Sequence, residues 1–227
     1  MSHKVHPKAF RLKEWSDWDS RWFNEKELPK YLEEDFRIRE FLKKRLKEAA
    51  VQNIEIERSP NQVNIIINTA RPGLLIGRGG AGVDDMKKEI EKQILKGKRK
   101  KEVKIEIKEV KDPWAQASIS GQWIASQIEK RMPFRRVMKK SLDKIMTSNT
   151  VKGARIEVSG RLNGAQISRR EWLSKGNLPR QVLRAEIDYA QKEAFCSYGV
   201  TGIKVWIYKG KKFEKQTMNK EQKTIKR

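Results

Sequence analysis

Apolar positions change period several times along the first half of the chain. Ile38, Leu42, Leu46 and Ala49 recur at helical spacing with Phe41 beside them, and Pro29 suits a first helical turn, which predicts a helix over 29–50. The period then falls to two. Ile54 and Ile56 alternate with Glu55 and Glu57; after the turn residues Ser59-Pro60-Asn61, Val63, Ile65 and Ile67 alternate up to Thr69. Arg71-Pro72-Gly73 ends this second strand, and Leu74 to Ile76 form a short apolar turn. Val83, Met86, Ile90 and Ile94 then line one face of a helix over about 83–95, followed by a loop of Gly97 and Lys98-Arg99-Lys100-Lys101. Val103, Ile105 and Ile107 alternate with Lys104, Glu106 and Lys108 in a closing strand.

The second half changes layout. Asp112 suits a helix cap with Pro113 at the first position, and that helix runs to about Arg131 before Pro133 breaks it. A second helix covers about 134–147, and the stretches 154–159, 167–173, 182–189 and 203–208 read as strands. Two helices followed by a small sheet make a two-helix-on-sheet α/β domain. Ahead of the first helix, Trp15, Trp18 and Trp22 need a surface to pack on, so the start is read as an arm. The chain thus divides into an arm (1–37), a first domain (38–110), a second domain (111–210) and a basic flexible tail (211–227), an α+β fold class overall.

Charge narrows the partner. Lys and Arg number 52 against 29 acids in 227 residues, a net charge of +23. The excess is positive in each of the windows 1–50, 51–110, 111–150, 151–210 and 211–227, as expected of a chain contacting a polyanion on several faces. No apolar run is long enough to span a bilayer and no secretory signal is recognisable, so a membrane is not the expected partner. Cys196 is the only cysteine, which fits a reducing compartment, and His3 and His6 are the only histidines. No metal-ligand cluster and no histidine-based triad can be assembled from them, which argues against common hydrolytic chemistry.

The window Ile76-Gly77-Arg78-Gly79-Gly80-Ala81-Gly82-Val83 fits two phosphate-binding patterns. Gly77, Gly79 and Gly82 match the dinucleotide fingerprint, which requires a preceding core strand. Gly77-Arg78-Gly79-Gly80 matches the GXXG loop of K-homology RNA-binding domains, which joins two helices and clamps backbone nucleotides. Gly79 to Gly82 also fits GXXG; the 77–80 register is chosen because it puts Ile76 and Val83 at flanking core positions. The order helix–strand–strand–helix–helix–strand resembles a type II K-homology domain over about 38–110. Arg71, Lys87 and Lys88 flank the loop as further candidate RNA contacts.

A second candidate site is the 134–145 helix. Phe134, Val137, Met138, Leu142 and Ile145 fall in one arc, while Arg135, Arg136, Lys139, Lys140 and Lys144 centre half a turn away with only Asp143 among them. A face of one sign is costly unless an anion meets it, and phosphates would do so without base reading.

Five ordered blocks carry a more specific resemblance. They are Lys4-Val5-His6-Pro7 with Phe10-Arg11-Leu12; Thr69-Ala70-Arg71-Pro72-Gly73 into Ile76-Gly77; Phe134-Arg135-Arg136-Val137-Met138-Lys139; Val158-Ser159-Gly160-Arg161-Leu162 with Gly164-Ala165; and Tyr198-Gly199-Val200-Thr201-Gly202 through Ile207. With them the chain resembles the bacterial type of the small-subunit ribosomal protein family number three. The resemblance implies a cytoplasmic, ribosome-bound structural component of the small-subunit head, a non-enzyme with no cofactor and no small-molecule substrate. It would bind small-subunit ribosomal RNA beside the tenth and fourteenth proteins and line the path of incoming messenger RNA. Arg131, Arg135, Arg136, Lys139 and Lys140 would face the message and assist its positioning and unwinding; Lys4, His6, Arg11 and Arg161 are further ribosomal RNA contacts by this implication. The family loop carries two basic residues between its outer glycines, whereas this chain has Arg78-Gly79. The alternative is a free K-homology regulator of messenger RNA.

Overall fold

A computed structural model describes residues 5–11, 18–46, 48–59, 62–93 and 102–211. Lys4, Trp15, the turn residues Pro60 and Asn61, Ile94, the loop 97–101 and the tail beyond Lys211 lie outside them. The chain forms two compact units, one from residues 18–113 and one that joins the described N-terminal residues 5–11 to the chain from Trp114 onward.

In the first unit a short strand β1 (Ser20–Arg21) precedes helix α1 (Leu28–Arg45), strands β2 (Val51–Arg58) and β3 (Gln62–Thr69), helices α2 (Pro72–Ile76) and α3 (Ala81–Gln93), and strand β4 (Glu102–Glu109). The sheet order is β1-β2-β3-β4. β2 and β3 are antiparallel, with Ile54 opposite Ile67 and Ile56 opposite Ile65, and β3 and β4 are parallel, with Val63 opposite Val103. That register puts Ile56, Val63, Ile65, Ile67 and Val103, all fully buried, on the face that meets Ile38, Leu42, Leu75, Met86 and Ile90 of the helices. Fully burying each such side chain contributes about 1.5–3 kcal/mol, so period-two alternation here is the core itself.

Helix α1 starts earlier than the pattern 29–50 suggests and ends at Arg45, so residues 28–37 are helix rather than arm. The arm also divides. Ser20 and Arg21 pair in parallel with Ile56 and Glu57, and the Trp22 ring meets Tyr31 edge-on at 5.3 Å.

The second unit has helices α4 (Ala117–Glu129) and α5 (Phe134–Thr147), then strands β5 (Gly153–Gly160), β6 (Arg169–Gly176), β7 (Ala185–Cys196) and β8 (Gly199–Lys211) in the order β6-β5-β8-β7, all antiparallel. Both helices cover one face over Ala154, Ile156, Val158, Ile203, Val205 and Ile207. Three expectations are corrected here. Asp112 does not cap a helix: Pro113 opens a separate 3₁₀ turn, Gln116 is the N-cap residue, and the Ala117 N–H donates to the Asp188 carboxylate at 2.7 Å. β7 continues past Tyr189 to Cys196, because pairing with β8 orders a polar stretch that has no clear alternation. Lys211, placed at the start of the tail, is still strand, since it lies opposite Ala185 in the same hairpin.

Residues 5–11 are held on this unit. The Arg11 guanidinium, 5% exposed, donates to the carbonyls of Pro7, Arg180 and Val182, Lys8 pairs with Asp188 at 2.9 Å, and the His6 ring meets Tyr189 at 4.8 Å.

Candidate nucleic-acid interface

The glycine window splits into two jobs. Gly77 (φ 69°), Gly79 (φ 61°) and Gly80 (φ 87°) all take left-handed backbone, so the chain reverses between α2 and α3 within a single 3₁₀ turn, Arg78–Gly80. Gly82 is ordinary helix, but a Cβ there would stand 2.5 Å from the Leu75 carbonyl oxygen. Three glycines turn the chain and the fourth lets α3 start against α2. The turning segment is therefore 77–80. Ile76, expected at a flanking core position, is instead 42% exposed; in so short a helix Leu75, at 2%, takes the core side, with Val83 packed on the same core. The residues before Gly77 are helical, so the strand–glycine–helix arrangement of a dinucleotide site is not formed.

A Cβ at Gly79 or Gly80 would meet nothing within 4 Å, so the tip of the loop faces open space. Arg71, Arg78 and Lys88 are exposed around it and Lys87 is half-buried. Asp84 in the first turn of α3 already satisfies part of the positive helix end, which tempers its pull on a phosphate.

On α5 the two faces separate as the sequence predicts. Phe134, Val137, Met138, Leu142 and Ile145 are buried, and an open groove is lined by Arg135, Arg136, Lys139, Lys140 and Lys144 together with Asp143 and Thr147. The five cations are not equivalent. Arg135 forms a two-pronged pair with Glu171 of β6 at 2.9 and 3.0 Å, and Arg169 adds a third bond to the same carboxylate at 2.9 Å. Hydrogen bonding from Arg135 first, and from Arg169, holds the Glu171 carboxyl below the usual range, and the Arg135 guanidinium is raised in turn. Lys144 lies over the rings of Trp114 and Trp123, at 4.5 and 4.7 Å. Arg136, Lys139 and Lys140 are exposed and pair with no carboxylate among the described residues.

The remaining sequence-derived contacts are scattered. Arg131 is exposed, in left-handed backbone just past α4. Arg161 donates to the carbonyls of Ala165 and Tyr198, at 3.0 and 3.2 Å, and so fastens a turn. Arg11 is buried as an anchor, His6 accepts the Lys8 and Ala9 N–H groups on Nδ1, and Lys4 lies outside the described residues.

Both halves of this arrangement match known families. Residues 37–115 match the KH domain model and residues 124–207 match the C-terminal domain of ribosomal protein S3. The small ribosomal subunit protein uS3 of Endomicrobium trichonymphae is 47% identical over 215 residues, 95% of this chain and 90% of that protein. Its counterparts in Caldicellulosiruptor saccharolyticus and Enterococcus faecalis are 48% and 49% identical, covering 92% of this chain and 93% and 94% of theirs. The chain belongs to the uS3 family of small ribosomal subunit proteins. RNA binding and a place in translation come with that membership, and the KH and S3 C-terminal folds account for the α+β class.

Two features of this uS3-family chain escaped the sequence. Asp35, 1% exposed on α1, accepts from Arg58 Nε and a second Arg58 nitrogen at 2.9 and 2.6 Å, from Ser20 Oγ at 2.9 Å and from Trp22 Nε1 at 2.8 Å. This buried network ties the 18–27 segment to the KH unit; in sequence the partners of Asp35 lie 13 to 23 positions away and read as ordinary surface charge and polar residues. The second feature is an exposed apolar stripe. Leu28, Leu32 and Phe36 repeat at i, i+4 on the outer side of α1, at 45%, 52% and 66% exposed, beside Phe23 at 85% and Trp18 at 68%. The signal lay in the same helical periodicity that revealed the core face, shifted around the helix.

Proposed function

We propose that the chain is a structural constituent of the small-subunit head that binds small-subunit ribosomal RNA and lines the path of incoming messenger RNA, helping to position and unwind it. The observation that carries the message role is the cationic face of α5: Arg136, Lys139 and Lys140 stand exposed along an open groove and pair with no carboxylate among the described residues, since Asp143, which lines the same groove, pairs with Lys175. Phosphates would supply that charge whatever the base sequence. Arg135, fixed by Glu171, would present its remaining N–H edge in one orientation. The loop Gly77–Gly80 would approach ribosomal RNA backbone through main-chain groups, with Arg71, Arg78, Lys87 and Lys88 around it. No step of hydrolysis is assigned to the chain.

The apolar stripe of α1 supports protein neighbours in addition to RNA. Residues 18–40 hold seven acids against five bases in a chain of net charge +23, so that surface repels phosphates and suits a basic protein. The tenth and fourteenth small-subunit proteins are the neighbours the family resemblance implies. A free KH regulator accounts for residues 37–115 but leaves the S3 C-terminal domain without a role.

The test is translation in ribosomes carrying Arg136→Ala with Lys139→Ala. Subunits assemble normally, and passage through stable message hairpins slows while unstructured message is read at the usual rate. Equal rates on both templates would remove the message role.

A further inference from the structure

The sheet of the second unit has a face that α4 and α5 do not cover. Strand alternation puts Trp172 of β6, Arg155 of β5 and Trp206 of β8 on that outer face. Half of it is closed. Leu178 and Val182 pack with Ile187, Tyr189, Trp206 and Tyr208 into a small second core. The other half stays open, and two aromatic rings stand on it: Trp172, 52% exposed, and Phe195 of β7, 68% exposed.

Trp172 is supported from within. The Arg155 guanidinium lies 4.0 Å from its ring centroid and 5.8 Å from that of Trp206, while the Arg155 side chain is only 16% exposed. The indole therefore rests on a fixed cation and keeps about half its surface in solvent. Between Trp172 and Phe195 the floor is low and polar, with Ser159 opposite Gly202 across β5 and β8. Cations border it. Arg170 has a 68% exposed side chain, and Lys204 sits opposite Glu157 in register. Two carboxylates lie on that floor: Glu157, 9% exposed and balanced by Arg155 at 3.4 Å and Arg170 at 3.5 Å, and the exposed Glu193 of β7, opposite Gly202.

A protein-docking patch is a continuous apolar area; here Trp172 stands apart from Phe195 and its cross-strand neighbour Val200, 51% exposed, over a flat polar floor edged by cations. Bases stack on aromatic rings whatever their sequence, and nearby cations follow the phosphates. We propose that this open half-face binds an unpaired stretch of RNA, with one base stacked on Trp172 and another on Phe195 and the backbone near Arg170 and Lys204. The proposal rests on the RNA-binding reading above but uses the side of the sheet opposite α5.

The experiment uses the full chain and a short single-stranded RNA carrying 2-aminopurine, whose fluorescence falls when it stacks. Wild type binds and quenches. Trp172→Ala weakens binding about tenfold and loses most of the quenching, Trp172→Phe recovers most of both, and Phe195→Ala has a smaller effect of the same kind. The salt dependence of affinity is unchanged in all three, because no cation is removed. Wild-type affinity and quenching in Trp172→Ala would overturn the proposal and leave the face to a protein neighbour. A loss that Trp172→Phe does not recover would overturn it too, by pointing to damage to the sheet. If instead the wild-type chain binds no RNA at low salt, the RNA-binding reading itself fails; that outcome is separable because Arg136→Ala with Lys139→Ala then has no affinity to lower.

Discussion

The two units solve one packing problem, helices on one face of a four-stranded sheet, and leave different groups for a partner. In the first unit the connection between helices is the exposed feature, and what it offers is main chain: three left-handed glycines and one basic side chain, Arg78. In the second the connections are ordinary and a helix face carries the charge, through Arg136, Lys139 and Lys140. Main-chain groups need close approach and therefore a fixed shape. Long cationic side chains need only an anion within reach. The first unit accordingly favours a partner of fixed shape, and the second tolerates an anion whose position varies.

That contrast is most exposed at the polar core of the first unit. Asp35→Ala leaves the Arg58 guanidinium, with a side chain only 3% exposed, buried without its main partner, and about 3–5 kcal/mol of stability is lost. Hydrogen exchange resolved by segment gives the reading. β2 and β3 lose protection while β5 and β8 keep theirs; equal loss in both would mean that the units are not separate in stability.

The glycine loop gives a smaller and sharper test. Gly82→Ala drives a Cβ to within 2.5 Å of the Leu75 oxygen and costs about 1–3 kcal/mol, since α2 must shift. Gly79→Ala meets nothing within 4 Å and bears only the left-handed backbone, about 1 kcal/mol. Denaturant titration of the two variants ranks them, and the reverse order would show that the window is a hinge rather than a packed corner.

The smallest effect belongs to the second unit and depends on pH. Burial first, and then Lys8, lowers the His6 pKa below its ordinary value. With the folded value below the unfolded one, His6 favours the docked arm above the usual imidazole range. The contribution fades as pH falls through the lowered folded value. Protonation also removes the Nδ1 acceptor used by the Lys8 and Ala9 amides. Those two amides exchange faster, relative to the intrinsic rate, on acidification from about pH 7.5 to about pH 5, and His6→Gln abolishes the change.

Much of this was written in the chain at short range. Period-two isoleucines in β2, β3 and β4 and the two-faced α5 are local patterns, and local patterns survive folding because they are the core. The glycine-rich turn was legible for a similar reason, since left-handed positions want glycine, but the core position that selected the 77–80 register belongs to Leu75 and not to Ile76. What stayed hidden depends on partners far apart in sequence. The Arg58 charge is indistinguishable from a solvated one until Asp35 and Glu34 close around it. Arg11 comes forward as an RNA contact only through the family resemblance, and nothing nearby in sequence shows that its guanidinium donates to the carbonyls of Arg180 and Val182. Glu171, which fixes Arg135, is 36 positions away on another element. The far half of β7 has too little alternation of its own and becomes strand only because β8 pairs with it.

The attachment of residues 5–11 to a unit built mostly from the far end of the chain has a consequence in time. The first unit draws on residues 18–113, so it can close as soon as that stretch has been synthesised. The residues that precede it cannot settle then, because the carbonyls of Arg180 and Val182 and the Asp188 carboxylate do not yet exist for Arg11 and Lys8. At roughly 5–20 residues per second, the β7–β8 hairpin is complete roughly 5–20 s later. The described residues made first are thus among the last to find their place.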